Sequence, residues 1–194
     1  MIDIFNKEFI EPYYLDRLDP EDLQEIQDYI SKLKDEDYTH NEFDHNDGHT
    51  NQYFKKYRSC EIHYPKSSSV FFRVGKKFFQ KINKKYYKYD LRNVYEFQLI
   101  KYHEGGNYNW HCDYGISPRP WVVRKLSMSI QLTDPEKYHG GELELIDYGN
   151  RSIMISNALG TVAVFDSKVP HKAHPIAFGE RIVLVGWASG PRLR

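Results

Sequence analysis

The sequence is short of several things, and each shortage closes a route. There are only two cysteines in 194 residues, Cys60 and Cys112. Two cannot make a disulfide framework, and they lack the paired spacing of a zinc site, so both read as reduced thiols. Neither sign of charge is in excess, since 27 basic residues balance 27 acidic ones. With no global field to draw the chain to nucleic acid or to an anionic membrane surface, neither is expected as a partner. No apolar run is long enough to cross a bilayer. The opening residues, Met1-Ile2-Asp3-Ile4-Phe5-Asn6-Lys7-Glu8, lack a basic stretch followed by an apolar one. A cytoplasmic protein is therefore expected. There is no internal repeat, low-complexity tract or linker. With 40% hydrophobic and 15% aromatic residues the chain can bury a sizeable core, so residues 1–194 are expected to form a single domain.

What is there falls into two textures. Asp19-Pro20-Glu21-Asp22 has the makings of a helix start, with a capping aspartate, proline at the first helical position and acids in the first turn. Leu23, Ile26, Ile30 and Leu33 then recur at helical spacing, which predicts a helix to about Lys34. Residues 35–69 are polar and irregular. A second helical pattern runs through Phe71, Val74, Phe78, Ile82 and Tyr86, with Lys77, Lys81, Lys84, Lys85 and Lys88 mostly on other faces. From Asn93 onward, short β-branched and aromatic runs are punctuated by Gly, Pro and Asn, the pattern of antiparallel strands. Strands are predicted at Val94 to Tyr102, Trp110 to Asp113, Val122 to Leu132, Gly141 to Ile146, Ser152 to Ile155, Thr161 to Phe165, Lys172 to Ile176 and Arg181 to Trp187. Eight strands fit a mainly β, α+β fold: a double-stranded β-helix (jelly roll) over 93–194, buttressed by a mainly helical 1–92.

The chemistry concentrates in Tyr108-Asn109-Trp110-His111-Cys112-Asp113. On a strand, residues i and i+2 share a face, so His111 and Asp113 could grip one metal ion while Cys112 points away. A third ligand is required, and the remote candidate is His171 in Val169-Pro170-His171-Lys172. Two histidines and one carboxylate make the facial triad of non-haem Fe(II) oxygenases. Ten residues beyond His171 comes Arg181, whose planar fork can hold a carboxylate through two hydrogen bonds and so suggests an acid cosubstrate beside iron. Arg181, Val183, Val185 and Trp187 share one strand parity and would line one wall. On Val122 to Leu132 one parity is apolar, through Leu126, Met128, Ile130 and Leu132; the other is Ser127, Ser129 and Gln131, more natural as a cosubstrate-facing wall than as core.

The blocks Tyr102-(x)5-Tyr108-(x)2-His111-x-Asp113, Arg124-Lys125-Leu126-Ser127, Gly140-Gly141-Glu142-Leu143, His171-(x)3-Pro175-Ile176 and Gly179-Glu180-Arg181-(x)5-Trp187 resemble the prolyl 4-hydroxylase type of Fe(II)/2-oxoglutarate oxygenase. Within that type the resemblance is to the bacterial PKHD-type hydroxylases. It spans about Val94 to Trp187. It implies His111, Asp113 and His171 as iron ligands and Arg181 as the partner of the 2-oxoglutarate C5 carboxylate. It also implies Tyr102 as a hydrogen-bonding neighbour of the cosubstrate, and Trp187 as an aromatic at the pocket wall. Gln131 falls where some prolyl hydroxylases have a tyrosine of similar role, and Gly140-Gly141 matches a turn leading into a strand. The implied reaction converts 2-oxoglutarate and O2 to succinate and CO2 while a substrate C–H bond is hydroxylated, with ascorbate in support. The expected substrate is a prolyl residue of a peptide or protein. An aspartate at 113, where Gly or Ala would open a halide site, reads as a hydroxylase.

Blander readings stand beside these. His174 rivals His171 as third ligand but lies on the opposite parity. Arg181 could be an ion-pair partner of Glu180 or Glu142, and Tyr102 and Trp187 could be ordinary core aromatics. Arg124 reads as a partner of a neighbouring acid or as a rim contact with substrate. His40, His45, Asp47 and His49 read as a solvated loop, and the lysines from Lys76 to Lys88 as a solvated helix face. The same chemistry on a small molecule or another side chain, or a non-enzymatic jelly-roll binding module, remain the alternative functions.

Overall fold

The computed structural model describes residues 11–43, 57–115 and 121–192. His45, Asp47 and His49, the interior of the 115–121 rim loop, and the first ten residues lie outside them. The chain is mostly β with two helices. Strand β1 (Tyr13–Arg17) leads into helix α1 (Pro20–Ile30). Strands β2 (Thr39–Phe43) and β3 (Arg58–His63) precede helix α2 (Val70–Ile82). The remaining strands are β4 (Val94–Tyr102), β5 (Asn107–His111), β6 (Val122–Gln131), β7 (Tyr138–Gly140), β8 (Leu143–Ile146), β9 (Ser152–Met154), β10 (Thr161–Asp166), β11 (His171–Ala173), β12 (Ile176–Gly179) and β13 (Arg181–Pro191).

Eleven strands form one curled antiparallel sheet in the order β1-β10-β6-β13-β4-β3-β5-β11-β8-β9, with β2 on β3, and β7 pairs with β12 separately. This is the jelly-roll half-barrel expected from the strand pattern. The expected helical support is only part of the first 92 residues, however. β1, β2 and β3 join the same sheet: β1 caps the β10 edge, and β3 is inserted between β4 and β5. Their polar or short sequences, Tyr13-Tyr14-Leu15-Asp16-Arg17 among them, carry no clean alternation to announce a strand.

The two parities of β6 separate the helices from the pocket. Leu126, Met128 and Ile130 are buried with Phe71, Val74, Phe78 and Phe79 of α2 and with Phe97, Leu99 and Leu184 of the sheet. Phe97 is wedged so closely that a Cβ at Gly75 would come within 2.1 Å of its ring, and one at Gly186 within 2.5 Å. Glycine is what lets α2 lie on the sheet. The second helix ends earlier than its pattern suggests. A wide turn over Asn83–Tyr87 follows Ile82, and Lys88 adopts φ 56° while the Asn83 amide binds both the N–H and C=O of Tyr89.

α1 begins at the predicted proline, but Asp19 does not cap it. Its carboxylate accepts instead from Lys77 (2.5 Å). Buried Asp22 accepts from Arg73 (2.7 Å) and Lys77 (3.2 Å), and Lys81 reaches Asp16 (2.6 Å). Two lysines of that face, Lys77 and Lys81, with Arg73, thus fasten α2 to α1 and β1. Burial alone would raise the Asp22 carboxyl, but the two cations outweigh it and hold it below its ordinary value of 3.8. Its stabilisation is therefore present above pH 3.8 and lost as pH falls through the lower, folded value. Asp22→Asn should lower the melting temperature at pH 7 by about 2–4 °C, because the cations are half-exposed and screened. In thermal scans across pH, the gap to wild type should close on acidification below 3.8.

Candidate metal centre and cosubstrate pocket

β5 and β11 pair with His111 directly opposite His171. The ring centroids are 4.1 Å apart. Asp113 is not in the strand: β5 ends at His111, and the N–H groups of Asp113 and Tyr114 both donate to the Ser167 carbonyl (3.0 and 2.9 Å). That turn returns the carboxylate to the histidine side, the placement that strand parity anticipates, by a different route. Asp113 Oδ2 lies 3.4 Å from His171 Nε2, and Oδ1 lies 3.8 Å from His111 Nε2. One donor atom from each of the three falls within 4.8 Å of the others, so together they could hold a metal ion.

The protonation pattern suits that use. His111 Nδ1 lies 2.7 Å from the Asn109 carbonyl, and His171 Nδ1 lies 3.0 Å from the Val169 carbonyl. A carbonyl only accepts, so each Nδ1 carries a proton and each Nε2 is turned toward Asp113. Burial, reinforced by the neighbouring His171, pushes His111 down to about 4, so it is neutral at pH 7. Burial would raise the Asp113 carboxyl, but the imidazoles and a Ser127 hydroxyl donating at 2.7 Å outweigh it and hold it well below the usual carboxylate range. Two imidazoles and one carboxylate form a donor set that fits Fe(II).

The triad opens on a pocket of about 500 Å³, counting its mouth. The predicted wall of Arg181, Val183, Val185 and Trp187 lines it, as do Ser127, Ser129 and Tyr102. Arg181 stands opposite Tyr102 in the β13–β4 register, its guanidinium 5.9 Å from that ring. It is buried, and among the described residues no carboxylate pairs with it. Its Nε donates to the Gln131 amide oxygen (3.0 Å), and the Tyr138 hydroxyl is its other partner. Gln131 also donates to the Tyr138 hydroxyl (2.7 Å) and to the Thr133 carbonyl (3.2 Å). Its amide is therefore committed to holding Arg181 and Tyr138. The positive φ of Gly140 and Gly141 makes the turn that brings this region together, and a Cβ at Gly141 would meet Ile176 at 2.2 Å and Arg181 at 3.1 Å.

Other expectations resolve as follows. His174 turns away to Glu144 Oε2 (2.7 Å), which Lys172 also holds (2.9 Å). Arg124 lies over the Trp187 ring (3.8 Å), pairs with Glu96 (3.3 Å) and reaches to 3.9 Å from Asp113. Two residues at the site were not singled out from the sequence. Tyr138 meets Arg181 because β7 pairs with β12 two residues before it, with Tyr138 opposite Gly179, and no spacing rule links them. Arg58, within the stretch read as irregular, lines the pocket and stacks over Tyr108 (4.6 Å), which in turn stacks on His111 (3.6 Å).

Residues 97–189 match the family model of the 2OG-Fe(II) oxygenase superfamily. Among curated proteins, the PKHD-type hydroxylase of Pseudomonas putida is 36% identical over 93 residues, covering 45% of this chain and 40% of that protein. A PKHD-type hydroxylase of Shewanella baltica is 33% identical over 90 residues, covering 45% and 39%. The chain thus spans about 40% of the length of these curated relatives. Among solved structures, a Pseudomonas putida prolyl-4-hydroxylase superposes with TM-score 0.70 at 17% identity over 95% of this chain and 94% of that one. A Trichoplax adhaerens prolyl hydroxylase, solved with a hypoxia inducible factor oxygen degradation domain peptide fragment, gives 0.67 at 15% identity over 91% and 83%. These structural likenesses establish the fold.

Ser127→Ala removes the hydroxyl that orients Asp113 without touching a donor atom. It should weaken divalent metal binding about 10- to 100-fold, read by calorimetric titration with Mn(II), while the melting temperature of the metal-free protein changes little.

Proposed function

We propose that this protein is an Fe(II)- and 2-oxoglutarate-dependent dioxygenase that hydroxylates a prolyl residue of a peptide or protein. The observation that carries the reading is the joint placement on one pocket of the triad and a buried Arg181 that no carboxylate of the described residues pairs with directly. A buried guanidinium without a counter-charge is costly, and a cosubstrate carboxylate supplies one. His111, Asp113 and His171 would hold the iron. Arg181, oriented by Gln131 and Tyr138, would receive the far carboxylate, with Tyr102 beside it. Iron and 2-oxoglutarate, when bound, supply the oxidising chemistry. The chain's part is to orient the two imidazoles through the Asn109 and Val169 carbonyls, hold Asp113 ionised through Ser127, and screen the site from water with Val183, Val185 and Trp187. The prolyl assignment rests on the PKHD-type relatives and on the prolyl hydroxylase fold, and ascorbate is expected to support turnover. The integration of β1–β3 into the sheet supports reading 1–194 as one working unit, and the cytoplasm is the proposed location.

Anaerobic addition of Fe(II) and 2-oxoglutarate should produce a weak visible charge-transfer band. Proline-rich peptides incubated with the protein, Fe(II), ascorbate and 2-oxoglutarate should gain one oxygen by mass spectrometry. A band with oxidation only of non-prolyl substrates would retain the dioxygenase and reject the prolyl assignment. No band and no iron uptake by folded protein would reject both. Arg181→Ala should raise the 2-oxoglutarate concentration needed for the band by about 10- to 100-fold, the loss expected for charge-assisted hydrogen bonds.

A further inference from the structure

The pocket holds a second guanidinium that the cosubstrate does not need. Arg58, on β3, lines the same cavity as the triad and Arg181. It reaches there because β3 pairs with β5, Arg58 opposite Tyr108. Its partners among the described residues are neutral: Nε donates to the Cys60 sulfur (3.3 Å) and one terminal nitrogen to the Gln98 amide oxygen (3.4 Å). Burial pushes the Cys60 thiol up, so it carries no compensating charge at pH 7. An arginine has five N–H donors, and two are used here; the free ones lie along the outer edge of the fork, which matches a carboxylate bidentately.

Charge balance points the same way, given the function proposed above, on which this inference rests. Arg124 is neutralised by Glu96. In the loaded site the iron and its Asp113 ligand would face doubly charged 2-oxoglutarate, whose far carboxylate Arg181 would receive, with Glu142 as a further acid acting on Arg181. Arg58 has no acid partner among the described residues, so it keeps an unpaired positive charge in a partly desolvated setting, where charge complementarity selects the incoming molecule. Its position over Tyr108, whose ring lies on His111, puts that charge two stacking steps from the metal ligands.

We propose that Arg58 selects a substrate bearing a carboxylate next to the C–H bond to be oxidised, either an acidic side chain beside the target residue or a free α-carboxylate. A single guanidinium suits a monoanion better than a phosphate.

The test is anaerobic calorimetry on protein loaded with Fe(II) and 2-oxoglutarate, using matched acid and amide probes. Acetyl-Asp-Pro-amide against acetyl-Asn-Pro-amide reads the side-chain source, and acetyl-proline against acetyl-prolinamide reads the α-carboxylate. In at least one pair the acid should bind about tenfold more tightly. Arg58→Gln should bring that ratio to about one, and Arg58→Lys should restore much of it, since a cation is kept. No acid preference in the wild type, or one that survives Arg58→Gln, overturns the proposal. So does Arg58→Gln weakening 2-oxoglutarate binding more than tenfold, because Arg58 would then serve the cosubstrate. If Arg58→Gln does not fold, the wild-type ratios and Arg58→Lys still decide. The charge-transfer band separates the two levels: a band without acid preference condemns the role of Arg58 alone, and no band condemns the function on which it rests.

Discussion

The site depends on one constraint, the pairing of β5 with β11 that sets His111 opposite His171. Two imidazoles from strands some sixty residues apart can converge on one point only if the ladder fixes both backbones, because an imidazole reaches a short distance from its Cα. Each ring is then fixed by its own strand through a carbonyl two residues earlier, Asn109 or Val169. The same local geometry is used twice, and it sets the tautomer on both sides. Asp113 is pinned independently, by Ser167 through the backbone and Ser127 through the side chain. β6 and the turn after β10 therefore share in building a centre whose histidines belong to β5 and β11.

The second constraint is the burial of charge. Asp113 and Arg181 are both almost fully buried, and each is tolerated for a different reason. Asp113 accepts from the Ser127 hydroxyl and has His171, His111 and Arg124 close by, so its ionised form is favoured despite burial. Arg181 hydrogen-bonds Gln131 and Tyr138, which are neutral, and burial outweighs the more distant Glu142 in lowering its affinity for a proton. A pocket that satisfies its anion and leaves its cation short of a counter-charge is arranged to receive an acid.

Much of this was legible in the sequence because the later strands alternate cleanly. Val94 to Tyr102 is found with its predicted bounds, and the split of β6 into an apolar face toward α2 and a serine-bearing face toward the pocket follows directly from parity. Parity expected His111 and Asp113 on one side, and they are, although it is the backbone contact of Asp113 with Ser167 beyond the strand end that puts Asp113 there. Parity also excluded His174, which pairs with Glu144. What could not be read depends on tertiary pairing. β1–β3 are stabilised by the edges they cover rather than by their own composition. Arg58 and Tyr138 reach the site through the registers β3–β5 and β7–β12, and no local pattern encodes either pairing.

The glutamine at 131 illustrates how such a substitution is absorbed. A tyrosine there could offer a hydroxyl to a carboxylate held by Arg181. Gln131 uses its oxygen on Arg181 and its nitrogen on Tyr138, so it offers nothing further. Tyr138 accepts from both Gln131 and Arg181, which leaves its own hydroxyl proton undirected by either. The phenol missing from β6 is thus present on β7, linked to the same guanidinium. The arrangement requires the two-stranded β7–β12 ribbon to hold Tyr138 in place, and that ribbon in turn requires the Gly140-Gly141 turn, where a side chain would collide with Pro175 and Ile176. A single change on the central sheet is thereby compensated by a separate piece of secondary structure, and the glycines that looked merely structural in the sequence become part of what orients the cation.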